Sequence, residues 1–356
     1  MSKQAGRFSA DGQDQKVAPL AVTSLVATDV GTGRAYDNGA ANLTWTLPSN
    51  STPATLYTIT STPTTTTQTT TNSGSYTFTG LASNTAYTFT VVPSNDYAPQ
   101  STPSTTSNSI TATTVPQAPT IGTATDAGSG RAFNNGFVNV AFTAGATGGS
   151  AITSFAATST PGSILATGST SPIGLSGLTS ATAYTYVVTA TNANGTSAAS
   201  DASNSVTATT VPDAPSAPSV TNATNAITVS WSAPANGGSG ITSYTVQDNL
   251  GTTNSSIASS PYNFAETANT SESFRVAAVN ANGAGNYSSY SSAGTSLPPS
   301  FFAPPSFFAP PGFFSPPGFF SPPGFHAPPR FAVFPVPGST EISKIVQEEL
   351  DETQEK

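Results

Sequence analysis

Apolar and polar residues alternate along most of the chain. Leu43-Thr44-Trp45-Thr46-Leu47, Tyr87-Thr88-Phe89-Thr90-Val91, Ile227-Thr228-Val229-Ser230-Trp231 and Phe274-Arg275-Val276 all show a period of two. That period turns one face of a strand to a core and the other to water. Clusters of Gly, Asn, Pro and Ser separate the runs, and no stretch from 18 to 297 sustains a helical period. The pattern predicts an all-β fold of short, half-buried strands.

The alternating segments recur. TDVGTGRAYDNGAANLTW (28–45) matches TDAGSGRAFNNGFVNVAF (125–142) at an offset of 97, and GLASNTAYTFTVV (80–92) matches GLTSATAYTYVVT (177–189) at the same offset. A third, more diverged copy carries ITVSWSAP (227–234), GGSGITSYTVQ (237–247) and SFRVAAVNANGAG (273–285), and lacks the TDxGxGRA segment. About seven short strands in each copy is the strand count of a β-sandwich. The predicted boundaries are an N-terminal arm (1–17), sandwiches over 18–116, 117–212 and 213–297, a Phe/Pro-rich hexad repeat (298–338) and an acidic amphipathic helix (339–356). The predicted cores pair an early-strand aromatic (Trp45, Phe142, Trp231) with one on the next strand (Tyr57, Phe155, Tyr244). Tyr87, Tyr184 and Phe274 complete them, with Phe274 read as the third copy's counterpart of the two tyrosines.

The order of these elements resembles tandem fibronectin type III domains of the immunoglobulin-like class. It runs Pro-rich entry, Trp strand, Tyr strand, Leu-x5-Tyr, aromatic strand, Asn-x-x-Gly turn, then a Ser/Thr-rich last strand. Leu81 to Tyr87 and Leu178 to Tyr184 match the tyrosine corner, whose hydroxyl bonds backbone at the crossing between sheets. With Phe274 at that position, the third copy is expected to have a looser corner. The repeats, with their ATDVGTGRAY-like openings, NANGTSAAS turns and TATTVP exits, also resemble repeats in virion proteins of marine bacteriophages, particularly those of cyanobacteria.

The TDxGxGRA segment is an addition to a minimal sandwich. Gly31, Gly33 and the Asn-Gly pairs at 38–39 and 135–136 read as tight turns. Asp29 with Arg34, and Asp126 with Arg131, read as local ion pairs. The segment is therefore either a hairpin pinned by a salt bridge or a loop that meets a ligand or calcium. A calcium site wants six or more oxygens, several of them charged.

From Ser300 the period changes to six: SFFAPP, SFFAPP, GFFSPP, GFFSPP, GFHAPP. Proline excludes helix and central strand, and polyproline II is the expected conformation. Read in threes, one column holds only Gly, Ala and Ser. The other two alternate Pro with Phe301, Phe302, Phe307, Phe308, Phe313, Phe314, Phe319, Phe320 and Phe325. So much apolar surface is expected to pack on a partner or on copies of the chain, the alternative being a low-complexity spacer with transient Phe-Pro stacking. At the end, Ile342, Ile345, Val346 and Leu350 form one stripe of a helix. Too short to be stable alone, that helix is expected to dock on a partner. These Phe and aliphatic residues are the candidate assembly contacts.

Composition narrows the function. Only 7% of the 356 residues are charged, with no cysteine and one histidine, His326. Thiolate sites are impossible, and a His-centred triad or multi-His metal site is not expected. A net charge of −8 disfavours nucleic-acid binding. Residues 17–338 contain four arginines, no lysine and nine acids, so the charge concentrates at the two ends. No run is long and apolar enough for a membrane span, and the first 16 residues lack the apolar core of a secretory signal. No catalytic, cofactor or metal residues are assigned, and no cofactor is expected. The expectation is a non-enzymatic structural virion protein, a phage tail, neck or head fibre or decoration, assembled in the host cytoplasm. Expected partners are other virion proteins or copies of the chain, through the termini, and host surface glycans or proteins. A bacterial surface adhesin is the alternative.

Overall fold

The structure is a computed structural model, and it describes residues 17–96 and 101–299. The hexad repeat with its nine phenylalanines, the stripe from Ile342 to Leu350 and residues 1–16 of the arm lie outside the described residues.

The first copy contains β1 (Thr23–Asp29), β2 (Gly39–Thr46), β3 (Leu56–Thr62), β4 (Gln68–Thr70), β5 (Ser75–Leu81), β6 (Thr85–Ser94) and β7 (Ile110–Ala112). They form two antiparallel sheets, β1-β2-β5 and β4-β3-β6-β7. The second copy has β8 (Thr120–Asp126), β9 (Gly136–Thr143), β10 (Ser154–Thr160), β11 (Leu165–Gly168), β12 (Ile173–Leu178), β13 (Ala183–Asn192), β14 (Gly195–Thr196) and β15 (Val206–Thr207). Its sheets are β12-β9-β8 and β11-β10-β13-β14, with β15 also on β13. The third has β16 (Ser219–Ala223), β17 (Ala226–Ser230), β18 (Ile241–Asp248), β19 (Thr253–Ile257), β20 (Tyr262–Ala265), β21 (Ser271–Glu272), β22 (Phe274–Asn280), β23 (Gly283–Ala284) and β24 (Gly294–Thr295). Its sheets are β16-β17-β20 and β19-β18-β22-β23, with a β21-β24 pair. Each copy is an immunoglobulin-like sandwich of the fibronectin type III pattern, and no α-helix occurs among the described residues.

Alternation produces these layers directly. In β6 the buried positions are Tyr87, Phe89, Val91 and Pro93, and the residues between them face outward. Each core centres on one inter-sheet ring pair: Trp45 with Tyr57 at 5.5 Å between centroids, Phe142 with Phe155 at 4.7 Å, and Trp231 with Tyr244 at 5.2 Å. Such tilted contacts are worth about 0.5–1.5 kcal/mol beyond area burial. Tyr87, Tyr184 and Phe274 are buried in the same three cores.

The third corner differs from the sequence reading. The Ala82 amide donates to the Tyr87 hydroxyl at 3.1 Å, and the Thr179 amide to that of Tyr184 at 3.0 Å. Phe274 does not occupy that level. Its amide donates to Ser291 Oγ just as the Tyr186 amide donates to Ser203 Oγ, so Phe274 corresponds to Tyr186 and to Phe89. The corner position falls two residues earlier, on Glu272, which pairs with Gly294 as Tyr184 pairs with Val206. The shared NANG turn, at 192–195 and 280–283, gives this alignment too.

The last segment of each copy is also not the continuous Ser/Thr-rich strand that its composition predicts. Beyond β6, Ser104 and Ser107 each use both ends against it. Their amides donate to Val91 O and Phe89 O, and their hydroxyls accept from the amides of the same residues at 3.0 Å. Ser101 repeats the first bond, to Pro93 O, but Pro93 has no amide to donate in return. Ser197, Ser200 and Ser203 make all three rungs against Ala190, Val188 and Tyr186. Ser288 and Ser291 make two in the third copy. The spacing is three residues, so the segment follows a period of three rather than the period of two of a paired strand.

Candidate functional site

The TDxGxGRA segments build the joints between sandwiches. Each begins with an aspartate at the end of the first strand of its copy. The Asp29 carboxylate accepts from the Thr113 amide at 3.0 Å and from the Thr113 hydroxyl at 2.5 Å, and Asp126 grips Thr209 in the same way. The expected ion pairs are absent. Arg34 instead donates from Nε to Asn38 O at 2.9 Å, and Arg131 lies 4.3 Å over the Phe137 ring. Aspartate has a nearer use, since it clamps the exit strand to the entry strand of the same sheet sandwich.

The turns are also placed differently from the Asn-Gly reading. Gly33 and Gly130 take positive φ, and so do Asp37 and Asn134, both at 60°. Gly39 and Gly136 open β2 and β9 instead. Gly31 and Gly128 answer a separate demand. A Cβ on Gly31 would collide with the Thr113 hydroxyl and the Asn194 side chain, and one on Gly128 with the backbone of Thr209.

The loop then reaches the next copy. The Gly33 amide donates to Asn194 O at 2.8 Å, and the Gly130 amide to Asn282 O at 2.8 Å. The linker is held on both sides. Val115 N donates to Arg34 O and Thr114 N to Gly148 O; Val211 N donates to Arg131 O and Thr210 N to Gly237 O. A buried asparagine of the next copy closes the joint. Asn192 Nδ2 donates to Thr114 O at 2.9 Å and to Thr147 O at 2.8 Å. Asn280 Nδ2 donates to Thr210 O and Asn236 O, both at 2.8 Å. Asn194 and Asn282 add a second amide to the same linker carbonyls, each at 3.1 Å. One linker carbonyl with its two lone pairs thus takes two amide donors in both joints. Beside the first joint lies a cleft of about 500 Å³, between Tyr36, Val115 and Pro116 on one side and Gly195, Thr196 and Ala198 on the other.

The joint parts are distributed by position in the chain. Copies one and two, which are followed by another sandwich, carry TDxGxGRA. Copies two and three, which are preceded by one, carry the GGS loop (148–150, 237–239) and the NANG turn. The third copy replaces the long loop by a tight β16–β17 turn around Asn225, at φ 51°. The first copy has Ser51 and Asn95 in place of the docking residues, and they hold the chain that enters it. Asn95 Nδ2 donates to Val17 O at 3.1 Å, and the Leu20 amide donates to Ser51 Oγ at 2.8 Å. This division between the two halves of a joint is the signal in the sequence that could have revealed their pairing.

Among the described residues, three groups are pushed away from their ordinary values. Burial pushes up the phenols of Tyr57 and Tyr186, and for Tyr186 the neighbouring Tyr184 and Asp126 add to it. The Glu272 carboxyl is pushed up to about 7, first by burial, then by Glu266 beside it and by the charge of Asp248.

Residues 31–107 match the fibronectin type III domain family. Among solved structures, the crystal structure of the FN1-FN3 domains of chicken CNTN1 is similar at 18% identity. That match covers 77% of this chain and 98% of that one, with a TM-score of 0.29. No curated protein matches the chain. The match and the sheet topology together define the class: tandem fibronectin type III-like, immunoglobulin-like sandwiches.

Proposed function

We propose that the chain is a non-enzymatic structural protein, a three-sandwich spacer in a virion appendage or surface decoration. The observation that carries the spacer reading is the duplicated joint. The same amides and carbonyls tie copy one to two and copy two to three, which limits bending between neighbours. An open set of flexible linkers would need no such bonds. The fibronectin type III match over the first copy supports a structural or adhesive role rather than a catalytic one.

The virion assignment is a finer step, and it rests on the style of the repeats, whose openings, turns and exits resemble those of phage virion proteins. In this reading the termini make the assembly contacts with other virion proteins or with copies of the chain. The Ser/Thr/Asn faces of the sandwiches make weak contacts with host glycans or proteins. Many copies on one particle would raise the avidity of such contacts without any single strong site. Mass spectrometry of purified particles tests this, and peptides from all three sandwiches should co-purify at constant stoichiometry with the structural proteins. Absence from particles, with presence in cell envelopes, would replace the virion reading by that of a bacterial surface adhesin.

A further inference from the structure

Residues 17–338 hold nine acidic side chains, and three of them meet in the third sandwich. Asp248 ends β18, Glu266 follows β20, and Glu272 lies in β21. One carboxylate oxygen from each falls within 4.8 Å of the other two. Asp248 and Glu272 are 1% and 3% exposed, while Glu266 is half-buried and the most exposed of the three. Burying a carboxylate is costly unless something compensates it. One oxygen of Asp248 is satisfied, since Oδ1 accepts from the amides of Leu250 and Thr252 at 2.9 and 2.8 Å. Glu272 Oε2 is buried with no hydrogen-bond partner at all.

No basic side chain answers this charge. The described residues contain only three, Arg34, Arg131 and Arg275. The first two belong to the joints. Arg275 donates to Gln247 Oε1 and lies 4.5 Å over the Tyr287 ring.

The sister copies show that the sandwich itself does not need these acids. By strand pairing, Asp248 stands where the other copies have Ser61 and Ser159, opposite Phe274, Phe89 and Tyr186 in turn. Those serines satisfy the same turn with a neutral hydroxyl, accepting from the Thr65 and Ile164 amides. Glu272 stands where the others have the corner tyrosines. Two neutral groups that close a turn and a corner have both become carboxylates, and a third carboxylate has joined them.

We propose that Asp248, Glu266 and Glu272 form a binding site for one divalent cation, of which calcium is the best fit. The donor set is oxygen only, which selects hard cations and disfavours those that seek thiolate or imidazole. Asp248 has Oδ2 left to offer, since Oδ1 is taken by two amides, and Glu266 and Glu272 give up to four more oxygens when bidentate; water can complete the shell. Calcium tolerates the irregular geometry of a strand end, a loop and a two-residue strand better than magnesium, which demands a near-ideal octahedron. The ion would tie the turn after β18 to the corner that opens β22 in the third copy, replacing the bond that a tyrosine hydroxyl makes in the other two.

Calorimetric titration of calcium into the metal-free full-length protein at neutral pH tests the site, with magnesium as the comparison. The expected result is one calcium per chain, weaker magnesium binding, and a higher melting temperature with calcium present. Glu272→Gln and Glu266→Gln should each weaken calcium binding on the order of tenfold or more. The glutamine variants keep shape and remove charge. Glu272→Gln should also melt no lower than the metal-free wild type, because it takes one acid out of a buried cluster of three that no basic side chain offsets. Two outcomes overturn the proposal: no heat and no melting shift at about 1 mM calcium, or binding that both variants leave unchanged.

Discussion

At the level of single residues, the repeats act as internal controls. Phe89, Tyr186 and Phe274 occupy one core position, and all three are buried. The Tyr186 hydroxyl finds no partner there, while two sister copies fill the site with a ring that has none. Tyr186→Phe should therefore raise stability by about 1 kcal/mol, since the buried hydroxyl costs desolvation and returns nothing. Tyr87→Phe is the same chemical change with the opposite sign. It removes the acceptor for the Ala82 amide and should cost about 1 kcal/mol. Urea unfolding of the two variants decides between them, and equal shifts would mean that the corner bond carries no energy. Alternation alone marked all of these aromatics as core. It did not say which of two tyrosines two residues apart reaches the corner, because both point the same way from β13.

Among the elements, the serine ladder depends most on tertiary contact. Each rung uses a side-chain hydroxyl where a paired strand would use a backbone carbonyl. Ser200→Ala keeps the bond from the Ser200 amide to Val188 O and removes the acceptor for the Val188 amide. That amide is buried in the sheet, so the expected cost is about 1–3 kcal/mol. Thermal unfolding should register it, and amide exchange at Val188 should accelerate more than at its neighbours. A neutral Ser200→Ala variant would show that water replaces the hydroxyl. The Ser-x-x-Ser spacing was visible in the chain, yet Ser/Thr-rich composition favours a strand reading. What separates the two is the partner across the sheet, and that partner is about a dozen residues away in sequence.

In the described part of the molecule as a whole, the joints set how one sandwich follows another. Gly31 lies where loop, linker and next copy converge, outside any core. Gly31→Ala should leave each sandwich folded and loosen the first joint. Small-angle scattering should then show a broader distribution of distances, and calorimetry should show the first two sandwiches melting more independently. Gly240→Ala is the control, because a Cβ there meets nothing within 4 Å. Unchanged scattering in the Gly31 variant would remove the support that the joint lends to the spacer reading.

The sequence by itself determined the alternating strands and the repeat, since strand alternation and the offset of 97 are local or repetitive signals that need no knowledge of contacts. It also placed Trp45 with Tyr57, Phe142 with Phe155 and Trp231 with Tyr244 in three cores, because the inward positions of strands in two facing sheets meet in one thin core. Only the tertiary structure decided the partners of the polar groups. Asp29 had a guanidinium five residues away and chose a threonine 84 residues away. Asn192 had its own turn nearby and tied it to a carbonyl of the preceding linker. Glu272 came to rest beside two other acids that the chain keeps 6 and 24 residues apart from it. Apolar side chains only need to leave water, and a periodic pattern records that need. A polar group needs one particular partner in one direction, and a chain shows that partner only after it has folded.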